Sequence, residues 1–308
     1  AISGSTFDQN SADNAGGGLW VAPWGVQSDT SVLVLFVADT QFTSNQAKFE
    51  GGGMRSSVVT QNLTDVMFDQ NTASIGGGIY TLASITYLNN STFTGNSASQ
   101  AGAFLSDWMG VTSTSVAMEN VIATGNQATV GTNGFGAVLG GSFDGQYLDV
   151  RDNASQYSSA LSLSAINGSI NNSIFAFNTT ANLGVSTSSA LTIGNASVAD
   201  PFEVSYLLIA GNTGTTYGWS GLDGIALDHV VAAWNLGVQL MGSMNSTLDY
   251  SVLYSPPPFV SENAAWDMYN NGTANVAGVD PLFVGDGVTT DPSLSTNHSG
   301  FDFHIQSS

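Results

Sequence analysis

Apolar and polar positions along the chain form short runs that return every 23 to 35 residues. In each run an apolar residue, most often phenylalanine, stands three positions before an asparagine. The asparagines are Asn10, Asn45, Asn71, Asn96, Asn126, Asn153, Asn178, Asn212 and Asn235. The apolar positions are Phe7, Phe42, Phe68, Phe93, Ala123, Val150, Phe175, Ile209 and Ala232. Runs this short and this regular predict β-strands that recur once per turn of a repetitive structure.

Clusters of small residues follow the early asparagines, as GGG at 16–18, 51–53 and 76–78 and as AGA at 101–103. A period near 25 residues, rich in glycine and asparagine, predicts an all-β fold, a single-stranded parallel β-helix (solenoid) of roughly 10–12 turns. A β-propeller is disfavoured because its blades need about 40–45 residues each. We expect the asparagines to mark one corner, in left-handed dihedrals and with stacked amides, and the glycines to mark a second corner.

The repeats also resemble a known family. "FDQN…GGGL", "FTSN…GGGM", "FDQN…GGGI" and "FTGN…AGAF" are similar to the Phe-x-x-Asn and Gly-Gly-Ala-(Ile/Leu/Val) repeats of polymorphic outer membrane proteins. The resemblance covers residues 3–140 and fades afterwards. It implies a right-handed parallel β-helix on a surface-exposed, often adhesive or architectural protein, and it carries no catalytic residue. "DPLFVGDG" at 280–287 and "FDFHI" at 301–305 resemble the closing turns of right-handed β-helix proteins.

The repeat weakens near residue 250, which predicts two parts. Residues 1–250 are the β-helix repeats, and residues 251–308 are an irregular C-terminal segment that closes or packs against them. The three prolines in "YSPPPF" exclude a helix or a central strand there. Since residue 1 already lies inside a repeat and no signal peptide is evident, we expect that an upstream part was removed by processing or fragmentation.

Composition and charge narrow the function classes. The chain has 3 Lys and Arg against 23 Asp and Glu, a net charge of −20, which disfavours nucleic acids and anionic lipid as partners. No apolar run reaches the roughly 18–20 residues of a membrane span, so direct membrane insertion is not expected. The lack of cysteine excludes disulfides, thiol catalysis and cysteine metal sites.

An outward-facing apolar strip is predicted in the second half of the chain. Strand alternation points the residue before each apolar repeat position outward, and four of these residues are Ile122, Ile174, Leu208 and Val231. Strands that are apolar on both faces are normally covered on both sides. The cover is either a loop or the C-terminal segment of this chain, or another subunit or domain.

Two clusters of charged residues are candidates for catalysis. Asp8 and Asp69 occupy the same repeat position two turns apart, about 9–10 Å, near the carboxylate spacing of inverting glycosidases. Their alternative role is that of ordinary solvated carboxylates. Lys48, Glu50 and Arg55 surround the second GGG. A local ion pair is favoured there over the cationic centre of a polysaccharide lyase.

No resident cofactor or metal is expected. Ca²⁺ is the one ion that the composition would allow, at "GDGVTTD" in residues 285–291. His229, His298 and His304 lack zinc-ligand spacing. Four tryptophans either stack on sugars or pack loops onto the tube: Trp20, Trp24, Trp108 and Trp219.

Several Asn-x-Ser/Thr sequons offer glycosylation sites if the source is eukaryotic. Asn62, Asn90 and Asn167 are the best acceptors, whereas Asn153 and Asn178 belong to the ladder and should be inaccessible.

The sequence therefore predicts an extracellular or cell-surface structural or adhesive module rather than an enzyme, within a larger surface protein or a filament. Its expected partners are other protein subunits or domains, with surface glycans as a further class. The alternative is a carbohydrate-active enzyme of the glycoside hydrolase type on the same scaffold.

Overall fold

The computed structural model describes residues 1–23, 33–107, 114–130, 133–156, 160–181, 189–194, 201–213, 217–221, 224–233, 235, 238–241, 247–249, 251–254, 276–277, 283–284 and 302–305. These residues form β-strands and no helix. The first half holds β1 Ile2–Ser3, β2 Thr6–Asp8, β3 Ser11–Ala12, β4 Leu19–Val21, β5 Leu33–Thr43, β6 Gln46–Ala47, β7 Met54–Ser57, β8 Val59–Asp69, β9 Thr72–Ile75, β10 Ile79–Leu82, β11 Ile85–Asn89, β12 Thr92–Thr94, β13 Ser97–Gln100, β14 Phe104–Asp107, β15 Ser115–Glu119, β16 Ile122–Thr124 and β17 Gln127–Ala128. The second half holds β18 Gly136–Gln146, β19 Asp149–Arg151, β20 Ala154–Ser155, β21 Leu161–Ala176, β22 Thr179–Thr180, β23 Ser189–Gly194, β24 Phe202–Ala210, β25 Tyr217–Gly221, β26 Ile225–Ala233, β27 Val238–Met241, β28 Thr247–Asp249, β29 Val252–Tyr254, β30 Val276–Ala277, β31 Phe283–Val284 and β32 Asp302–Ile305.

The strands stack into four parallel columns, and the first seven coils visit all four. Column A contains β4, β7, β10, β14, β23, β25, β27 and the first parts of β18 and β21. Column B contains β1, β11, β15, β28 and the matching parts of the long strands. Column C contains β2, β12, β16, β19, β29, β30 and the ends of the long strands, and column D is the seven-stranded sheet of β3, β6, β9, β13, β17, β20 and β22.

The predicted parallel β-solenoid is confirmed. Ten successive parallel pairings join eleven strand levels of column C. Ten inter-strand steps of about 4.8 Å make this stack about 48 Å tall. The right-handed sense of the coil stays a prediction.

Apolar side chains of successive coils stack inside the tube, because the register places identical repeat positions over one another. The rings of Phe7, Phe42, Phe68 and Phe93 lie 4.8, 5.0 and 4.9 Å apart and within 9° of parallel. Smaller residues continue the row, and Ala123 and Val150 are fully buried. Most buried apolar residues belong to one continuous cluster that runs along the tube.

The nine repeat asparagines form one hydrogen-bonded ladder. The Asn71 side chain shows the pattern, since its Nδ2 donates to Asn96 Oδ1 at 3.0 Å and to the Phe42 carbonyl at 2.8 Å. Its Oδ1 accepts from the Asn45 backbone N–H at 2.9 Å and from Asn45 Nδ2 at 3.0 Å. The same amide-to-amide bond links each of the nine to the next.

The expectation that these asparagines adopt left-handed dihedrals is wrong. None of the nine has a positive φ, whereas the residue before it does in eight coils, for example Gln70 at 54° and Gly95 at 60°. The left-handed residue turns the chain so that the asparagine side chain enters the tube. There it is held by partners above and below, and Asn45 to Asn235 are at most 2% exposed.

The glycine clusters form the second predicted corner. Gly51 has a φ of +62°, and a Cβ on Gly52 would lie 2.4 Å from the carbonyl oxygen of Gly77 in the next coil. The first glycine of a cluster therefore provides the turn, and the second allows close approach of two backbones. In the fourth coil Ala101 adopts the same left-handed conformation, with a φ of 53°.

A short row of hydroxyls also faces the interior. Ser56, Thr81 and Ser106 are in register in column A and are 0% exposed. Their hydroxyl oxygens have no hydrogen-bond partner among the described residues. These are unusual positions, because buried polar atoms are normally satisfied.

The C-terminal segment is described only in part. β29 and β30 continue column C beyond residue 250, and β31 pairs antiparallel with β32. The predicted boundary at 250 stays a prediction, and most of residues 251–308, including the three prolines, lie outside the described residues.

Candidate ligand-binding face

The first predicted carboxylate pair lies on the outside of column C. Asp8, Thr43 and Asp69 pair in register, and Thr94 follows in the next coil. Asp8 and Asp69 are thus separated by two strand spacings, about 9.6 Å. Asp8 is exposed and Asp69 is half-buried.

The charged cluster around the second GGG forms an ion pair with aromatic neighbours. Arg55 Nε donates to Glu50 Oε2 at 2.7 Å. The guanidinium lies 5.2 Å from the centre of the Trp20 ring and 5.9 Å from that of Tyr80. Burial raises the pKa of the Tyr80 phenol well above its ordinary value, and the nearby Asp107 and Glu50 carboxylates act in the same direction. Arg55 therefore serves local structure, as predicted, and Trp20 packs on it although its ring is 53% exposed.

The other two cations of the chain also have local partners. Arg151 pairs with the Asp149 carboxylate. The Lys48 ammonium lies 5.2 Å from the centre of the Phe49 ring. Neither residue belongs to column B, and Arg55 is in column A.

The predicted apolar strip is split by the structure. Ile174, Leu208 and Val231 are consecutive in column C and pack around the buried Ala210 and Ala233. Leu208 is 9% exposed within the single chain, so its cover comes from this chain.

Ile122 is separated from the rest of that strip. It lies one coil before Asp149, which stands between it and Ile174 in the register. It is 47% exposed and is the strip residue that remains open to solvent.

A groove that was not predicted from the sequence lies on the outside of column B. One outward row of this column reads, coil by coil, Phe36, Asn62, Tyr87, Ala117, Asp144, Ser169, Glu203 and Ala226. Tyr87 is 46% exposed and Asp144 is exposed. The small Ala117 side chain lies between them, and a cavity of about 320 Å³ opens at this place. The groove also includes Glu119 and three amide side chains, Asn89, Gln146 and Asn171.

A second cavity of about 380 Å³ continues the groove along the tube, because Asp144 and Ser169 line both. It adds Glu203, which stands two coils from Asp144 with Ser169 between them. Ser169 Oγ donates to Asp144 Oδ1 at 3.2 Å, and Asn171 Nδ2 donates to Ser169 Oγ at 3.3 Å. Ser205 Oγ donates to Asn171 Oδ1. This chain of hydrogen bonds holds the Asp144 carboxylate in place.

Exposed rings also occur at the corner between columns B and C. Tyr147 and Tyr206 have positive φ values of 54° and 52° and are 49% and 57% exposed. Tyr206 stacks on His229 with ring centres 4.8 Å apart, and His229 Nδ1 lies 2.9 Å from the Asp228 carboxylate. The corner beside the groove therefore presents aromatic surface to solvent.

The remaining predicted sites are partly described. No group of three or more His, Cys, Asp or Glu that could hold a metal occurs in the described part of the chain. The "GDGVTTD" stretch, His298, Trp24 and Trp108 lie outside it, as do the side chains of His304 and Trp219.

The sequon asparagines differ in accessibility. Asn90 and Asn167 are exposed and Asn62 is half-buried, whereas Asn153 and Asn178 are 1% and 2% exposed. Asn90 Oδ1 accepts from Asn120 Nδ2 at 3.1 Å in the next coil.

No protein-family model, curated protein or solved structure matches the chain. Within the described ranges there is no helix long and apolar enough to cross a membrane.

Proposed function

We propose that the chain is an extracellular structural or adhesive module, a rigid rod that displays binding surfaces along its length. The observation that carries this proposal is the unbroken asparagine ladder from Asn10 to Asn235 beside the stacked phenylalanines. Each coil is tied to the next by backbone pairing, by amide bonds and by apolar contact. Such repetition provides stiffness and surface area rather than a single enclosed pocket.

The surface composition supports a location outside the cell. Its 23 Asp and Glu against 3 Lys and Arg give a net charge of −20, and exposed sequons occur at Asn90 and Asn167. The internal ladder stabilises the fold without disulfides. Other subunits or domains and surface glycans are the partners that we propose.

Localisation and adhesion can be tested together. Antibodies against the folded chain should label intact source cells, and protease added outside those cells should remove the label. The natural surface is the one to which the source cells attach. Beads coated with the chain should attach to this surface more than beads coated with an unrelated protein of equal negative charge. Labelling only after permeabilisation, together with no attachment above the control, would refute the proposal.

A second candidate function is glycoside hydrolysis, and the groove is the observation that favours it. Asp144 and Glu203 are two coils apart in one row, about 9.6 Å, close to the carboxylate separation of inverting glycosidases. Incubation with soluble polysaccharides, followed by a reducing-end assay, tests this function. If the chain is a glycoside hydrolase, the polysaccharide should gain new reducing ends with the natural chain and none with the Glu203→Gln variant.

A further inference from the structure

The shape of the column B groove fits one sugar ring. Tyr87 and Asp144 stand in the same row with Ala117 between them. Two strand spacings separate their backbones by about 9.6 Å. A ring in contact with Tyr87 at about 4 Å and bonded to Asp144 at about 2.7 Å fills this gap. A longer side chain at position 117 would occupy the same space.

The chemistry of the two walls matches the two kinds of surface on a pyranose. The Tyr87 side chain is exposed, and its ring can stack on the C–H face of the sugar. The Asp144 carboxylate can accept hydrogen bonds from sugar hydroxyls, and bonds to a charged acceptor are stronger than neutral ones. Because Ser169 and Asn171 already orient this carboxylate, little further ordering is needed when a ligand binds.

The groove continues beyond the first ring position. The second cavity shares Asp144 and Ser169 with the first and leads to Glu203. A ligand that followed both cavities would run along the tube axis and contact successive coils. The site therefore suits a chain of sugars rather than a single monosaccharide.

Charge decides which class of polysaccharide can enter. Glu119, Asp144 and Glu203 line the groove. All three Lys and Arg residues of the chain belong to columns A, C or D or the corners beside them. A polyuronate or a sulfated glycan would meet repulsion with no counter-charge. An uncharged glycan meets no charge repulsion and finds carboxylates, amides, hydroxyls and the Tyr87 ring along the groove.

We propose that the column B groove binds an uncharged polysaccharide, with one sugar ring held between Tyr87 and Asp144. This inference deepens the proposed adhesive function and rests on it, because it names the ligand through which the rod attaches.

Titration calorimetry with defined hexasaccharides tests the site. The uncharged probes are cellohexaose, xylohexaose, mannohexaose and laminarihexaose, and the charged probe is hexagalacturonate. We expect at least one uncharged probe to bind and the charged probe not to bind. Tyr87→Ala and Asp144→Ala should each lower the affinity about tenfold or more, as expected when a ring contact or a charged hydrogen bond is lost.

Matched controls keep the test specific. Phe49→Ala removes another exposed ring, and Asp13→Ala removes another exposed carboxylate, both outside column B. Both controls should bind like the natural chain, and thermal unfolding should show all four variants folded. The groove proposal is overturned if no uncharged probe binds, if hexagalacturonate binds best, or if Tyr87→Ala and Asp144→Ala bind like the controls.

Failure of this inference is distinguishable from failure of the proposed function. Beads carrying the Tyr87→Ala variant should attach to the natural surface less than beads carrying the natural chain. Equal attachment of both bead types would reject the groove while leaving the adhesive rod. No attachment of either type would reject both.

Discussion

Replacing one ladder asparagine by alanine tests the main source of stability that we assign to the fold. Asn96 is suited to this test because it is 0% exposed and its side chain makes four hydrogen bonds. Its Oδ1 accepts from the backbone N–H and from Nδ2 of Asn71, both at 3.0 Å. Its Nδ2 donates to Asn126 Oδ1 at 3.0 Å and to the Phe68 carbonyl at 2.8 Å.

The Asn96→Ala change leaves buried donors without an acceptor. The Asn71 backbone N–H loses its partner, and the Asn71 side-chain nitrogen loses one of two. An unsatisfied buried polar group costs about 1–3 kcal/mol, so the two donors together cost about 2–6 kcal/mol. This cost is a large share of the free energy of unfolding of a typical domain, which is about 5–15 kcal/mol.

Urea unfolding followed by circular dichroism measures this cost through the free energy extrapolated to water. The control is Asn89→Ala, a half-buried outward asparagine in the same coil, which should change the value by no more than about 0.5 kcal/mol. Asn96→Asp keeps the shape and the acceptor but loses both donors, so it should also destabilise. Native-state hydrogen exchange should show faster exchange at the Asn71 amide. An Asn96→Ala protein as stable as Asn89→Ala would refute the reasoning.

Three further predictions concern the corner, the interior and the surface. Gly52→Ala should lower the free energy of unfolding by about 2–3 kcal/mol, because the new Cβ meets a carbonyl oxygen at 2.4 Å. Gly4→Ala, with nothing within 4 Å, should cost only about 1 kcal/mol of backbone strain, and equal losses in thermal unfolding would contradict this account. Thr81→Val should leave stability unchanged or raise it, since a buried hydroxyl without a partner is replaced by a methyl. A loss in urea unfolding would show that the hydroxyl is satisfied. In protein secreted from a glycosylating host, mass spectrometry should find glycan on Asn90 and none on Asn153, and a glycan on Asn153 would contradict the ladder.

The sequence predicted the repeat positions well because each is fixed by contacts with its own copies. Phe42 and Phe68 recur at the same place in each coil and therefore stack when coils are in register. The same holds for the asparagines and for the corner at Gly51. The conformation of the asparagine was predicted wrongly, since propensity favours asparagine for left-handed dihedrals. In this fold its amide is needed inside the tube, and the preceding residue turns the chain instead.

The groove could not be predicted from the repeat motif because its residues do not repeat. Tyr87, Ala117 and Asp144 are neighbours only after three coils of different length are aligned in column B. A signal was present, since each of these residues stands nine positions before the next ladder asparagine. The outward apolar strip was also only partly predictable. The sequence could not reveal how far the chain itself covers Leu208.

The asparagine ladder also has a direction. In all eight steps the amide nitrogen of the earlier coil donates to the amide oxygen of the later one. A coil turned end over end would bring amide nitrogen against amide nitrogen or oxygen against oxygen. The ladder therefore permits only one orientation of each coil. Successive ladder asparagines form this same bond whether they are 23 or 35 residues apart in the sequence. Evolution can therefore lengthen the rod by whole coils, or enlarge its arms for new ligands, without altering the joint between coils.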